Sequence, residues 1–188
     1  MTTKVKILIE SMKLFSVHGY DSVSVRTIAA AVGVRDSALY KHFKSKQAIF
    51  NAIVEESKEH FLKKYKEMRI HDCKLSDFSD LCLNMFAFQT EDEWIVMFRR
   101  MLIIEQYKNS QMAETYKNLF IDMPVQGQKT IFEQLIKEGV MKDKNAEVMA
   151  MELYAPFFLY HTITMDKEQL QKLFRVHVNN FIEMYYIK

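Results

Sequence analysis

Glycine and proline are nearly missing from this sequence, with four and two in 188 residues. Globular proteins ordinarily carry about 7% and 5% of them, and folds that turn often depend on that supply. Turn-rich β-sandwiches and barrels are thereby excluded, which leaves helices. Cysteine is scarce too: Cys73 and Cys82 form neither a disulfide framework nor a zinc-ligand spacing, and suit a reducing compartment. The longest stretch without Asp, Glu, Lys or Arg, Leu153 to Met165, has 13 residues. A membrane span needs about 20. Glu10 interrupts the only apolar run near the N-terminus, so neither secretion nor membrane insertion is expected, and the location read is cytoplasmic. Catalytic signatures are missing as well. There is no Gly-rich phosphate loop, no His-Glu-x-x-His, no nucleophile elbow, and no pair of histidines at i,i+4. The chain reads as a non-enzyme, with no cofactor and no metal.

Apolar side chains, by contrast, are abundant. They make up 49% of the residues, with aromatics at 13%, enough for a sizeable core. The net charge of +2 conceals an asymmetry: residues 1–50 hold eight Lys/Arg against three acids, or +5, and the remainder is −3. Phosphate neutralisation provides most sequence-independent affinity for nucleic acid, so a basic module on a slightly acidic body suggests a binding head.

Helical spacing runs the length of the chain. Val5, Leu8, Met12 and Phe15 form one stripe from Lys4 to Val17, with Gly19 as a left-handed stop. Ser24 offers an N-cap to a short helix ending at Gly33, and a third helix of about two turns reaches Phe43. Ser45 caps a fourth that continues to about Lys66, followed by a polar loop at residues 68–76. Further helices are expected at Asp77–Thr90, Asp92–Tyr107, Ser110–Lys137, Asn145–Met165 and Asp166–Tyr186, with Pro124, Gly127 and Pro156 as points of break or bend. The fold class is all-α with about nine helices: a helix-turn-helix head at residues 1–47, then a larger helical body at 48–188.

The segment from Ser24 to Phe43 is the most informative. A helix-turn-helix needs small residues where its helices cross, a glycine at the sharp turn and apolar anchors under the second helix. Ala29 and Ala30, Gly33, and Val34 with Leu39 and Phe43 meet these needs. Arg35, Asp36, Ser37, Tyr40, Lys41 and His42 then face outward as polar groups suited to a major groove. With Phe15, Gly19-Tyr20, Ser24-Val25-Arg26, Ile28-Ala29, Val32-Gly33-Val34, Leu39-Tyr40, His42-Phe43 and Lys44-Ser45-Lys46, this part of the chain resembles the tetracycline-repressor (TetR) family of bacterial transcriptional regulators.

The resemblance implies a homodimer whose heads read a palindromic operator on double-stranded DNA, and whose body binds a small-molecule inducer of unknown identity. It implies that Ser24 and Arg26 contact the DNA backbone, and that Tyr40, His42 and Lys46 contact phosphates. Arg35 and Asp36 depart from the family's usual residues. An acid beside phosphates would be repelled, so Asp36 is expected to cap the third helix or accept from a cytosine amino group. A protein- or small-molecule-binding sensor whose head no longer binds DNA is the alternative, and Asp36 is what favours it.

In the body, Trp94, Phe98, Met101 and Glu105 share one helical face, with Glu105 at about 20° and Phe98 at about 40° from Trp94. Glu105 is either a pocket acid for a cationic or hydroxylated ligand, or a core carboxylate paired with an Arg or capping a neighbouring helix. Something must satisfy it, because unpaired burial of a charge is costly. A dimer surface is expected from Met151, Ala155, Phe158 and Leu159 together with Leu170, Phe174, His177 and Phe181 of the last helix. His177 is read as a hydrogen-bonded interface histidine.

Overall fold

The computed structural model describes residues 1–70, 74–160 and 166–187. Cys73, His71, His161 and the end of the uncharged stretch at 161–165 lie outside the described residues. Eleven α-helical segments are present among the described residues: α1 Thr3–Ser22, α2 Val25–Val32, α3 Asp36–Tyr40, α4 Lys46–Glu67, α5 Leu75–Glu91, α6 Glu93–Glu105, α7 Ser110–Lys117, α8 Met123–Lys137, α9 Ala146–Tyr154, α10 Pro156–Tyr160 and α11 Lys167–Tyr185. A π-helical turn, Asn118–Asp122, joins α7 to α8. Counting Ser110–Lys137 as one interrupted helix, and α9 with α10 as one helix bent at Pro156, leaves the nine of the sequence pattern. No described helix is long and apolar enough to cross a membrane.

The chain divides into two compact units, Met1–Lys63 with Glu93–Lys117, and Lys64–Asp92 with Asn118–Lys188. The sequence pattern places a division after residue 47. By compactness, α6 and α7 group with the N-terminal helices instead.

In the first unit α1 packs on α2 and α6. Its inward stripe is Ile7, Leu8, Met12 and Phe15, all buried, whereas Val5, expected in the stripe, is exposed. Phe15, Tyr20 and Phe50 form a ring cluster with centroids 4.9–5.6 Å apart. α6 is enclosed as its apolar circumference predicts, and only Glu93 and Arg100 are exposed along it. α3 is shorter than expected: it ends at Tyr40, and Lys41 and His42 follow in a turn.

The second unit is held by aromatic rings. Phe86 of α5 stacks on Phe174 of α11 at 4.2 Å, and Phe157 of α10 meets both edge-on. Phe132 of α8 bridges Phe78 and Phe181. Each such pair adds about 0.5–1.5 kcal/mol beyond its buried area. This arrangement corrects the expected dimer stripe. Leu170, Phe174 and Phe181 lie in the unit's own core, and the exposed apolar residues of α11 are Leu173, Val176 and Met184, about 100° around the helix.

Proline explains the π-helical turn. Pro124 has no N–H to return to the carbonyl four residues back, that of Phe120, and the helix widens just before it. The Tyr154 hydroxyl donates to the Phe120 carbonyl at 2.6 Å instead. One turn on, the Tyr65 hydroxyl donates to the Met123 carbonyl at 2.8 Å, close against Gly127, where a Cβ would collide with it. Burial pushes the Tyr65 phenol up to about 12.

Tyr154→Phe removes the donor to Phe120 and keeps the ring. We expect it to lower stability by about 0.5–1.5 kcal/mol in urea unfolding, the range for the net loss of one buried hydrogen bond. An unchanged midpoint would count against this account of the π-helical turn.

Candidate nucleic-acid interface

The helix-turn-helix follows from local chemistry. The Ser24 hydroxyl caps α2, accepting from the Thr27 N–H at 3.0 Å. Gly33 ends it in the left-handed conformation, φ 78° and ψ 34°, and its N–H donates to the Ala29 and Ala30 carbonyls. A Cβ at Gly33 would meet nothing within 4 Å, so the glycine serves the dihedral and not the space. Ile28, Ala29, Val32, Leu39 and Phe43 are buried beneath the motif, while Ala30, expected at the helix crossing, is exposed. The Ser45 hydroxyl accepts from the Ala48 N–H at 3.1 Å and starts α4.

With these anchors seated, the residues expected to meet DNA lie outward. Ser24, Arg26, Arg35, Ser37, Lys41 and His42 are exposed, and Tyr40 is 51% exposed. Asp36 stands in the first turn of α3 and is not its N-cap; Arg35 occupies that position without a side-chain hydrogen bond. The Asp36 carboxylate instead lies 3.8 Å from Arg26 Nε, so the unexpected acid has a cation beside it. Lys46 is half-buried. Its Nζ donates to the Tyr20 carbonyl at 2.8 Å and sits 4.0 Å from the centre of the Tyr20 ring.

Tyr20 has a role that pattern reading did not assign. Gly19 is not a left-handed stop: its φ of 76° is positive but its ψ is 163°, which breaks α1 without ending it before Ser22. That ψ swings the following N–H out of the helical ladder. The Tyr20 N–H then donates to Glu105 Oε1 at 2.8 Å. Glu105 is only 5% exposed, and its oxygen would lie 3.4 Å from a Cβ on Gly19, with Ile104 at 3.2 Å. Lys108 Nζ reaches Asp21 Oδ2 at 3.1 Å, which raises the Lys108 pKa. Burial first, then the Asp21 and Glu105 charges, raise the Tyr20 phenol above its ordinary value. Nothing in the residue spacing signals a bond spanning 85 positions.

Of the other expected pocket residues, Phe98 and Met101 are fully buried, and the Trp94 indole N–H donates to Ser57 Oγ at 2.8 Å. A small apolar cavity of about 20 Å³ lies elsewhere, within the second unit, among Tyr65, Ile70, Phe78, Leu81, Met85 and Gln128. In the same unit Met151 (56%), Phe158 (39%) and Leu159 (58%) are exposed, as is Ala155. His177 Nε2 lies 3.1 Å from the Leu153 carbonyl, a hydrogen bond within its own chain. Among the described residues no cluster of three or more His, Cys, Asp or Glu could hold a metal ion.

The geometry is that of a helix-turn-helix head in an all-α protein. The family model described as "Bacterial regulatory proteins, tetR family" matches residues 7–53. The match is confined to the helix-turn-helix segment and the helices beside it, about a quarter of the chain. The HTH-type transcriptional regulator UidR of Escherichia coli is 32% identical over 65 residues, covering 35% of this chain and 33% of UidR. The chain thus spans about a third of that relative's length. The biofilm operon icaADBC HTH-type negative transcriptional regulator IcaR of Staphylococcus epidermidis is 25% identical over 135 residues, 71% of this chain and 68% of IcaR. Among solved structures, the ketosteroid transcriptional regulator KstR2 of Mycobacterium tuberculosis superposes with a TM-score of 0.73 at 15% identity, covering 100% of this chain and 96% of KstR2. At that identity the likeness is one of fold.

Gly19 occupies a backbone region essentially reserved for glycine, where another residue costs about 1–3 kcal/mol. Gly19→Ala should therefore lower stability by about 1–3 kcal/mol, read as a lower thermal midpoint in calorimetry. Wild-type stability in that variant would show that α1 does not depend on this break.

Proposed function

We propose that this chain is a homodimeric, DNA-binding transcriptional repressor, released from a palindromic operator when a small molecule binds its body. The observation that carries this reading is the outward polar set of Arg35, Ser37, Tyr40, Lys41 and His42, standing on a turn and helix anchored by Leu39 and Phe43. Donors at the start of such a helix reach base edges, while Tyr40, His42 and Lys46 at its far end and beyond face phosphates. Ser24 and Arg26, at the start of α2, suit the DNA backbone. The Arg26 guanidinium beside Asp36 favours a head that meets DNA, since the acid does not confront phosphates alone.

Dimerisation is supported by the apolar side chains that α9, α10 and α11 leave outside their own core. Met151, Ala155, Phe158 and Leu159 of the expected surface remain in it, and Leu173, Val176 and Met184 take the place of the buried Leu170, Phe174 and Phe181. A stable homodimer buries about 1,600 Å² or more and would cover this set. Two heads held about 34 Å apart would meet successive major grooves on one face of the duplex. A ligand that binds better in another head spacing shifts the population away from DNA, by no more than its differential affinity.

A band shift with the DNA upstream of the chain's own gene, repeated across salt concentrations, tests this reading. Tyr40→Ala and Lys46→Ala should weaken binding to every duplex, with Lys46→Ala also reducing the salt slope by about 1, whereas changes at Arg35 or Ser37 should alter sequence preference. Unaltered affinity in both alanine variants would remove the phosphate assignments. Separately, Met151→Glu with Leu159→Glu should give a monomer in analytical ultracentrifugation while helicity is retained. A dimer that survives both charges would move the interface elsewhere.

A further inference from the structure

We propose that Glu105 is a positioning residue for Lys46, acting through the backbone of Tyr20, so that a carboxylate on α6 sets where the head holds its phosphate-facing ammonium. This rests on the DNA-binding reading for its purpose, but not for its geometry. Glu105 and Lys46 do not touch in this chain of contacts. Glu105 Oε1 accepts the Tyr20 N–H at 2.8 Å, and the Tyr20 carbonyl in turn accepts from Lys46 Nζ at 2.8 Å. The Tyr20 ring lies under the same ammonium at 4.0 Å and is itself fixed against Phe15 and Phe50.

Three features make the arrangement directional. The break at Gly19 turns the Tyr20 N–H toward α6, and no Cβ fits comfortably there. The carboxylate is buried, so loss of the Tyr20 N–H, its one donor among the described residues, is not readily repaired by water. Asp21, the next residue, is tied to Lys108 at 3.1 Å, which fastens the same turn of α1 to the chain just beyond α6. An ammonium carries three donors. One is taken by the Tyr20 carbonyl, and a lysine held there has lost its rotamer freedom before any phosphate arrives. A free lysine at that position would have to lose it on binding.

Two measurements on the full chain test the proposal. The first needs no DNA: limiting acetylation with an N-hydroxysuccinimide ester, quantified peptide by peptide. Lys46 should react more slowly than exposed Lys44, and Glu105→Ala should bring the Lys46 rate up to that of Lys44. Glu105→Gln, which keeps an acceptor oxygen, should leave it slow. The second is a double-mutant cycle in duplex affinity. Glu105→Ala should weaken binding about fivefold when Lys46 is present and have no effect in the Lys46→Ala background. Equal losses in both backgrounds, or a Lys46 acetylation rate that Glu105→Ala does not change, would overturn the proposal. If Glu105→Ala does not fold, Glu105→Asp, which draws the carboxylate back from the Tyr20 N–H, should raise Lys46 acetylation; no rise would be equally fatal. A protein that shows the acetylation pattern yet binds no duplex would keep the positioning role and refute the DNA-binding reading.

Discussion

Glu105 is a carboxylate almost out of reach of water, and a charge so placed must be given a donor or it destabilises the fold by several kcal/mol. Its donor is the Tyr20 N–H, and much of the first unit's geometry is tied to that one bond. α1 has to break at a residue without a side chain, which is Gly19. The break delivers the Tyr20 ring to Phe15 and Phe50, and the Tyr20 carbonyl to Lys46, the first residue of α4. The helix-turn-helix is strung between these two residues. A bond from Lys46 back to Tyr20 therefore closes the loop that contains α2 and α3, and fixes both of its ends in one place.

How much of this was legible in the sequence depended on how far apart the interacting groups stand. Ser24 and Thr27, Gly33 and Ala29, Ser45 and Ala48 are separated by three or four residues, and their cap and turn chemistry can be read directly. The anchors Leu39 and Phe43 follow from the same short periods. Glu105 and Tyr20 are 85 positions apart, and spacing within either helix only says that the carboxylate needs a partner from elsewhere. Gly19 illustrates the same limit. Its positive φ was readable from its type and place, but its ψ is set by the oxygen it must make way for.

Burial on a helix is a matter of degrees, and there pattern reading was weaker still. α11 carries apolar residues around more than half its circumference, so Phe174 and Leu173, one step apart, are equally good candidates for an outer face. What decides is the neighbour. Phe86 offers its face and Phe157 its edge to Phe174, and the helix rotates to meet them, leaving Leu173 outside. Composition could not foresee the π-helical turn either, although it could foresee the trouble at Pro124. The repair comes from Tyr154, which lies 34 residues from the carbonyl that it satisfies.

The electrostatics of the head are likewise more one-sided than its composition. Its three acids, Glu10, Asp21 and Asp36, each lie beside a cation: Lys13 at 2.9 Å, Lys108 at 3.1 Å and Arg26 at 3.8 Å. As exposed pairs they add little stability, about 0–1 kcal/mol each. Their effect on the field is greater, because a phosphate more than about 8 Å away sees each pair as nearly neutral at physiological salt. Lys108 belongs to the acidic remainder of the sequence, yet it cancels an acid of the basic segment. Lys4, Lys6, Arg35, Lys41 and Lys44, all exposed, then present their charge to a duplex with little opposition from the same surface. A basic head therefore comes from where the acids are placed as much as from how few there are.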